Sequence, residues 1–390
     1  MKQIFTLFVI LIAVNSFSHG TWTQKMNFGG QARQMAVAFS IGNKGYVGTG
    51  LNSSFSYKKD FWQYDPAANT WTQKADFGGT ARQMASGFSI GAYGYIGTGY
   101  DGTNQKDFWQ YDTTANSWTK KADFGGTARY AAVGFSIGNK GYIGTGYTTT
   151  DQQDFWEYNP ANDTWTPKAN FGGSARSNAV GFSIGANGYI GTGAGSSNTQ
   201  DFWMYDTLAD SWTAKANFSG TARWGAIGFS FGGNGYIGSG YDGANKNDFW
   251  KYDTAANAWT QKANIGGAPR ELAVGFSIGN KGYASTGYTT TVLADLWVYD
   301  TTTSTTSVPE DDFSYSVNVF PTISSGDFSV SSSQYLIISM DLYDLCGNLV
   351  LQKGVNKKQF MVNMVAKEGV YFIRLKTENG IITKKIILQK

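Results

Sequence analysis

The sequence predicts an all-β protein in which a six-bladed β-propeller is followed by a small, immunoglobulin-like β-sandwich. Two observations predict the propeller: a unit recurs at a fixed period, and each copy holds four short strand patterns separated by turn residues. A third observation predicts the sandwich, since seven short strand patterns fill residues 313–390.

A Trp-Thr pair marks each repeated unit. The first spacing between pairs is 49 residues and the next four are 47 residues, with the pairs beginning at Trp22, Trp71, Trp118, Trp165, Trp212 and Trp259. Such a period is typical of propellers and solenoids, because each unit exposes an apolar face that only a neighbouring copy covers.

Within one unit the strand patterns are AVGFSI, GYIGTG, DFWQYD and NTWTQKA. Short runs rich in Phe, Tyr, Trp, Ile and Val predict strands, and the Gly, Asn, Asp and Thr clusters between them predict turns. The GNKG pattern that begins at Gly42, Gly138 and Gly279 suits a tight hairpin with positive φ. No part of the unit has apolar residues at helical spacing.

The two ends of the array predict that it closes on itself. The sixth unit lacks a fourth strand pattern, and the missing pattern stands at 21–28, so we expect this N-terminal strand to complete the last blade and remove a free sheet edge. The predicted domains are a signal peptide at 1–18, the propeller at 19–300, a linker at 301–312 and the C-terminal domain at 313–390.

The N-terminal segment predicts export. Lys2 precedes an apolar run from Ile4 to Val14, and Ser16 and Ser18 form a small-x-small cleavage site, as in a secretory signal peptide. The run is too short to span a membrane, and no other stretch approaches that length, so we expect no transmembrane segment. The single cysteine, Cys346, gives no disulfide framework and is either a small residue beside a turn or a free thiol.

The repeated unit resembles the kelch repeat. It has a hydrophobic strand, a glycine-rich strand end such as Gly48-Thr49-Gly50, a Tyr before a Trp, and an Arg before the next hydrophobic strand. The resemblance covers about three quarters of the chain and implies a propeller fold. It leaves the function open, because kelch propellers serve as binders, scaffolds and occasionally enzymes.

The tail resembles the C-terminal sorting domain of the type IX secretion system of the Bacteroidetes. The matching residues are Val319, Phe320 and Pro321, then Ser325 and Gly326, then MDLYDLCGNLV and GVYFIRLKTENGIITKKIILQK. The tail departs from the family in the two residues after Pro321, where Asn-Pro is common. The resemblance implies a secretion-machinery partner, passage across the outer membrane, removal of the tail, and a secreted or surface location. An unrelated immunoglobulin-like binding module is the alternative.

Two polar positions recur in register through the six units. An Asp stands before the first Trp of each unit and is a candidate turn or strand-entry group. An Arg precedes each hydrophobic strand, at Arg33, Arg82, Arg129, Arg176, Arg223 and Arg270. These six Arg either tie one blade to the next through backbone carbonyls or a carboxylate, or ring a central channel and attract an anion.

The residues that break the repeat predict a binding surface. In an up-and-down blade, the residues after each Arg and the loop between the second and third strands lie on one face, and both vary while the opposite turns hardly change. The candidate binding residues are Gln34, Gln83, Tyr130, Asn178, Trp224 and Glu271. Aromatic and amide groups at a concave propeller mouth stack on sugar rings and bond hydroxyls, although drift among near-identical copies also explains them.

These patterns favour a binding protein for a glycan or a protein over an enzyme. His19, the only His, lies at the predicted cleavage junction, so we expect no catalytic His, no metal site and no cofactor in the propeller. The propeller is close to neutral, so no nucleic-acid partner is expected. The alternative is a carbohydrate-active enzyme, a glycan hydrolase or sialic-acid mutarotase-like, using the irregular carboxylates Asp101, Asp151, Asp242 and Glu271.

Overall fold

The computed structural model describes residues 20–302, 317–333, 335–345, 347–378 and 380–389, and these contain strands but no α-helix. The predicted signal peptide at 1–18, most of the predicted linker and Cys346 lie outside the described residues. The chain forms two compact units that divide near residue 304. Within the described residues, no helix is long and apolar enough to cross a membrane.

The first unit is a six-bladed β-propeller in which each blade is a four-stranded antiparallel sheet. From the inside outwards, blade 1 comprises Val37–Ile41, Lys44–Gly48, Phe61–Asp65 and Thr70–Lys74. The first strands of blades 2 to 6 are Ser86–Ile90, Val133–Ile137, Val180–Ile184, Ile227–Phe231 and Val274–Ile278. Their second strands are Tyr93–Gly97, Lys140–Gly144, Asn187–Gly191, Asn234–Gly238 and Lys281–Ser285.

The outer strands complete each blade. The third strands of blades 2 to 6 are Phe108–Asp112, Phe155–Asn159, Phe202–Asp206, Phe249–Asp253 and Leu296–Asp300. The fourth strands of blades 2 to 5 are Ser117–Lys121, Thr164–Lys168, Ser211–Lys215 and Ala258–Lys262. Blade 6 takes its fourth strand from Thr21–Lys25, which pairs with Leu296–Asp300, so the third strand of blade 6 is not left as a free edge.

Aromatic side chains fill the space between neighbouring blades. In blade 1, Tyr46 and Phe61 stack with their ring centroids 5.5 Å apart, and Phe61 meets Trp118 of blade 2 edge-on at 5.0 Å. The glycine before each second-strand Tyr makes this packing possible: a Cβ on Gly141 would lie 2.2 Å from the ring of Phe88 in the preceding blade. The repeated aromatic residues therefore form the seams that hold the array together.

The turns opposite the varied face are fixed by repeated hydrogen bonds. Tyr64 donates its hydroxyl to Asn69, which has φ of 53°, and the next copy of this residue, Asn116, accepts the backbone N–H of Ala75 from blade 1. Trp118 Nε1 donates to the carbonyl of the same Ala75 at 3.1 Å. Since each turn bonds to its neighbouring blade, its sequence has little freedom to change.

The second unit is a β-sandwich of two sheets. One sheet has three strands in the order Val317–Phe320, Asp327–Ser332 and Gln359–Asn363. The other has five in the order Ile323–Ser324, Gly380–Leu388, Gly369–Thr377, Ile337–Asp344 and Leu349–Lys357. Its core includes Phe328, Met340 and Ile373, all fully buried. The seven strands expected from the sequence are present, and the short Ile323–Ser324 strand is additional.

Candidate functional site at the varied face

The six repeated Arg form the foundation of the varied face. Arg33 donates from Nη1 and Nη2 to the two carboxylate oxygens of Asp60, at 2.7 Å each, and from Nη1 to the carbonyl of Thr49 at 2.8 Å. Its guanidinium lies 4.8 Å from the ring centroid of Phe28. The same Arg–Asp pair occurs in all six blades, and each Arg is at most 1% exposed.

These contacts decide between the two interpretations of the Arg. The backbone of Arg33 bonds to blade 6 through Leu293 and Gly287, while its side chain bonds to blade 1, so the Arg joins two blades. The alternative of an anion-attracting ring is wrong, because the Asp of each unit neutralises the buried guanidinium. Although burial alone raises the pKa of Asp60, the hydrogen bonds from Arg33 and its charge bring it below its ordinary value.

The second residue after each Arg forms a closed ring of hydrogen bonds around the propeller axis. In each case its N–H donates to the carbonyl of the equivalent residue in the preceding blade, at 2.8 to 3.1 Å. All six residues have φ between 51° and 62°. The members of this inner ring are Met35, Met84, Ala131, Asn178, Gly225 and Leu272.

The first residue after each Arg forms an outer ring that pairs with the loop between the second and third strands. Gln34 pairs with Leu51 in a short two-stranded ladder, and the other five copies form equivalent bridges with Tyr100, Tyr147, Ala194, Tyr241 and Tyr288. Five candidate binding residues lie in this outer ring: Gln34, Gln83, Tyr130, Trp224 and Glu271. The sixth, Asn178, lies in the inner ring.

The pairing between the outer ring and the loops brings together aromatic side chains, some of which the sequence did not single out. Tyr130 lies 5.5 Å from Tyr147 and 5.5 Å from Tyr100 of blade 2, measured between ring centroids. Trp224 lies 5.7 Å from Tyr241. The sequence does contain a signal for the two tyrosines that it did not single out, Tyr147 and Tyr241. Each is the first loop residue after the glycine that ends the second-strand pattern.

The two rings make the mouth of the propeller asymmetric. Over blades 3 to 5 the inner ring carries the small side chains of Ala131, Asn178 and Gly225, and blade 4 adds Ser177 and Ala194 in the outer ring. Over blades 6, 1 and 2 the inner ring carries Leu272, Met35 and Met84. We call the part of the mouth formed by Ala131, Asn178, Gly225, Ser177 and Ala194 the small-residue sector. The Tyr130–Tyr147 pair of blade 3 flanks it on one side, and the Trp224–Tyr241 pair of blade 5 flanks it on the other.

The channel below the mouth is narrow. Its walls are the first strands, with Ala36 and its copies nearest the mouth and mainly glycine two residues further along, and they enclose a cavity of about 160 Å³. A Cβ on Gly181 would lie 2.0 Å from Val133 Cγ1 of the preceding blade. Since the strands approach this closely, the channel offers a ligand mainly small side chains, whereas the mouth offers large and polar ones.

The four irregular carboxylates fall into two classes. Asp101 accepts hydrogen bonds from Thr80, Thr103 and Gln105, and Asp242 accepts them from Thr221 and Lys246. These partners outweigh the effect of burial and lower the pKa of both Asp101 and Asp242, so these two carboxylates hold their loops in shape.

Glu271 and Asp151 make up the second class. Each leaves one buried carboxylate oxygen, Oε2 and Oδ1 respectively, without a hydrogen-bond partner in the described residues. Glu271 is 9% exposed, and burial raises the pKa of its carboxyl. The described residues contain no group of three or more His, Cys, Asp or Glu side chains placed to hold a metal.

Fold and site together define a class: a β-propeller in which a variable mouth lies on a frame of residues that repeat in every blade. Residues 318–389 match the family of secretion system C-terminal sorting domains. The tail is therefore a type IX sorting domain that engages the secretion machinery, and the protein is secreted or displayed on the cell surface.

Comparison with solved structures supports the fold of the first unit. The chain is similar to the structure of YjhT, with a TM-score of 0.61 and 14% sequence identity, over 70% of this chain and 95% of that one. At this identity the likeness concerns the fold alone. No curated protein matches the sequence.

Proposed function

We propose that the protein is an exported binding protein of the kelch type that recognises a glycan at the mouth of its propeller. The proposal includes cleavage of the signal peptide at 1–18 and removal of the tail at 313–390. The candidate binding residues are Trp224, Tyr130, Glu271, Gln34, Gln83 and Asn178, with Tyr147 and Tyr241 added by their contacts.

The observation that carries this proposal is the small-residue sector between two aromatic pairs. Tyr and Trp rings present apolar faces for the C–H surface of a sugar, and their hydroxyl and indole groups bond to sugar hydroxyls. Gln83 Oε1 is buried without a partner, and so is Asn245 Oδ1 in the loop of blade 5. Unpaired acceptors at the mouth favour a ligand that supplies many hydrogen-bond donors, as a polyhydroxylated sugar does.

The repeat itself supplies gentle substitutions to test this proposal. Trp224→Ser installs the residue that blade 4 has at the equivalent position, Ser177, and Tyr130→Gln installs the residue of blade 2, Gln83. The exported protein and the double variant are compared on a glycan array. We expect specific signals that drop at least about ten-fold in the double variant, in line with the loss of two stacking side chains.

Tyr93→Asn is the matched control, because Tyr93 is an exposed aromatic on the opposite face and Asn187 holds the equivalent position in blade 4. This variant should bind as the unaltered protein does. Glycan signals that survive in the double variant would place recognition away from the mouth. Silence on every glycan would favour a protein ligand.

Catalysis on carbohydrate is a second candidate function. It is favoured by Glu271, whose raised pKa suits a general acid; the other carboxylate with an unpaired oxygen, Asp151, belongs to the blade on the opposite side of the ring. A hydrolase or a sialic-acid mutarotase-like activity would be lost in Glu271→Gln. Absence of turnover over a broad glycan panel would reject this candidate while leaving the binding proposal intact.

A further inference from the structure

The acceptor groups left unpaired at the mouth point to the chemistry of the ligand. Two sets of side-chain oxygens on the varied face are buried without a hydrogen bond in the described residues. One set repeats with the blades and consists of the strand-end hydroxyls of Thr49, Thr145, Thr192, Ser239 and Thr286; the other set breaks the repeat and consists of four oxygens, Gln83 Oε1, Asp151 Oδ1, Asn245 Oδ1 and Glu271 Oε2. The repeated hydroxyls both donate and accept, whereas the four oxygens that break the repeat are acceptors. Buried polar groups are normally paired, so a run of unmatched acceptors on one face requires an explanation.

The cations nearest in sequence to this junction are paired. All six guanidinium groups are bonded to the Asp of their own unit, and Lys246 pairs with Asp242 at 2.9 Å. Lys58 and Lys59 line a separate groove with Trp62. Among the described residues no ion pair reaches Glu271 or Asp151.

Glu271 has the most constrained of the four positions. It exchanges two backbone hydrogen bonds with Tyr288, at 3.0 and 2.8 Å, which places their side chains next to each other. In blades 2 and 3 the equivalent neighbours Tyr100 and Tyr130 lie 5.5 Å apart, so the repeat places Tyr241 beside Glu271. Glu271 is nine-tenths buried, and its Oε2 has no hydrogen-bond partner among the described residues.

Asn245 adds a second oxygen at the same junction between blades 5 and 6. Its backbone pairs with Tyr241, and its Nδ2 donates to the carbonyl of Tyr288 at 3.4 Å, so its Oδ1 is the free acceptor. Asn245 Nδ2 and the backbone N–H of Glu271 donate to the same carbonyl, that of Tyr288, so a carboxylate and an amide side chain lie at one junction next to Tyr241 and Tyr288. This combination suits a protonated amine, which donates up to three hydrogen bonds and is attracted by aromatic faces.

We propose that Glu271 and Asn245 form a subsite for the free ammonium group of an amino sugar within the glycan. The inference rests on the proposed glycan-binding function and narrows it to glycans with unacetylated amino-hexose units. An anionic sugar, such as a sialic acid or a uronic acid, would find no free guanidinium here and would meet a buried carboxylate. The subsite therefore argues against the sialic-acid alternative on the basis of charge.

The test compares two ligands that differ in one group. Titration calorimetry of the exported protein is run with a glucosamine oligomer and with an N-acetylglucosamine oligomer of equal length, at pH 6, where the amine is protonated. We expect the amine form to bind at least about ten-fold more tightly, as a desolvated, charge-assisted contact supplies. Glu271→Gln should remove this preference.

Two control substitutions keep the result interpretable. Glu271→Gln gives blade 6 the residue that blades 1 and 2 have at Gln34 and Gln83, so the fold accommodates it. Glu157→Gln removes the same charge on the third strand of blade 3, where blades 1 and 2 have Gln63 and Gln110. Glu157→Gln should keep the preference. Its loss in that variant would mean attraction by net charge and would overturn the subsite.

The remaining outcomes separate the subsite from the function. Equal binding of both oligomers, lost in Trp224→Ser, would overturn the subsite and leave glycan binding in place. A second outcome is that neither oligomer binds, while a neutral glycan on the array binds in a way that depends on Trp224. This outcome would also overturn the subsite and leave glycan binding in place. Binding of a lysine-rich peptide that depends on Glu271, without binding of the amino sugar, would overturn both in favour of a protein ligand.

Discussion

Each Arg and the residue that follows it are neighbours in the chain but are constrained in opposite ways. Arg129 is fully buried and bonds to Asp154, to the carbonyl of Thr145 and to the carbonyl of Thr127. Tyr130 exchanges backbone hydrogen bonds with Tyr147, and its side chain makes ring contacts with Tyr100 and Tyr147 but no hydrogen bond in the described residues. The first position is therefore the same in all six copies, while the second holds Gln, Gln, Tyr, Ser, Trp and Glu.

This difference shows how a repeat acquires a site. The backbone ladder and the inner ring hold the varied residues in place through backbone hydrogen bonds, so a substitution there should cost less stability than one at the Arg. Variation confined to such positions marks a surface that the fold leaves open to other uses. Three substitutions test the contrast, in order of decreasing effect on stability.

The largest effect is expected where the fold uses a side chain fully. Arg129→Met leaves Asp154 without its partner and removes the bonds to two carbonyls, so the free energy of unfolding should fall by about 3 kcal/mol, since breaking a buried ion pair strands a charge. Urea unfolding of the exported protein measures this. Adding Asp154→Asn should restore part of the loss. An unchanged midpoint would show that the Arg–Asp pairs do not hold the seams.

A smaller effect is expected in the innermost layer. In Gly181→Ala the new Cβ would lie 2.0 Å from Val133 Cγ1, so the first strands must shift, at a cost of about 1–3 kcal/mol. Gly134→Ala is the matched control, with its nearest contact 3.1 Å away at Ser86 Cβ, and it should cost less. Thermal unfolding compares the two variants. Equal melting temperatures would contradict the tight packing of the channel.

The smallest effect, and of opposite sign, is expected at the mouth. The folded state raises the pKa of Glu271, so its ionised form destabilises the fold at pH above that pKa, and the penalty disappears below the pKa of the unfolded chain. Glu271→Gln should therefore raise the free energy of unfolding near pH 7, where the carboxyl of the unfolded chain is ionised. The gain should disappear below about pH 4. A gain that persists there would exclude ionisation as its cause.

The sequence predicted the frame of the molecule well. The propeller, its blade count and the sandwich follow from periodicity, because packing between copies requires the same aromatic and glycine residues in every unit. The export tail was recognisable from motifs that the family comparison matches over residues 318–389. The varied face could also be placed, since strand order alone determines which connections share a side of the propeller.

The sequence did not predict which side chains meet at the mouth. Tyr147 and Tyr241 became partners of Tyr130 and Trp224 only through the bridges between connector and loop, which join residues 17 positions apart. Likewise, Asp101 and Glu271 look alike in the sequence, but Asp101 has three side-chain partners and Glu271 none among the described residues. The two carboxylates differ in their local hydrogen bonds, and these hydrogen bonds depend on the geometry of the loops.

The inner ring of hydrogen bonds has a consequence for how this protein can evolve. Six donors and six acceptors follow one another in a single direction around the axis, so no blade can move outwards without breaking two of the bonds. Near-identical copies in a gene invite gain or loss of a whole unit by recombination. A chain with five or seven units would have to close this ring of hydrogen bonds at another diameter. The ring therefore limits the evolution of new binding surfaces to point substitutions in the two residues after each Arg and in the loops.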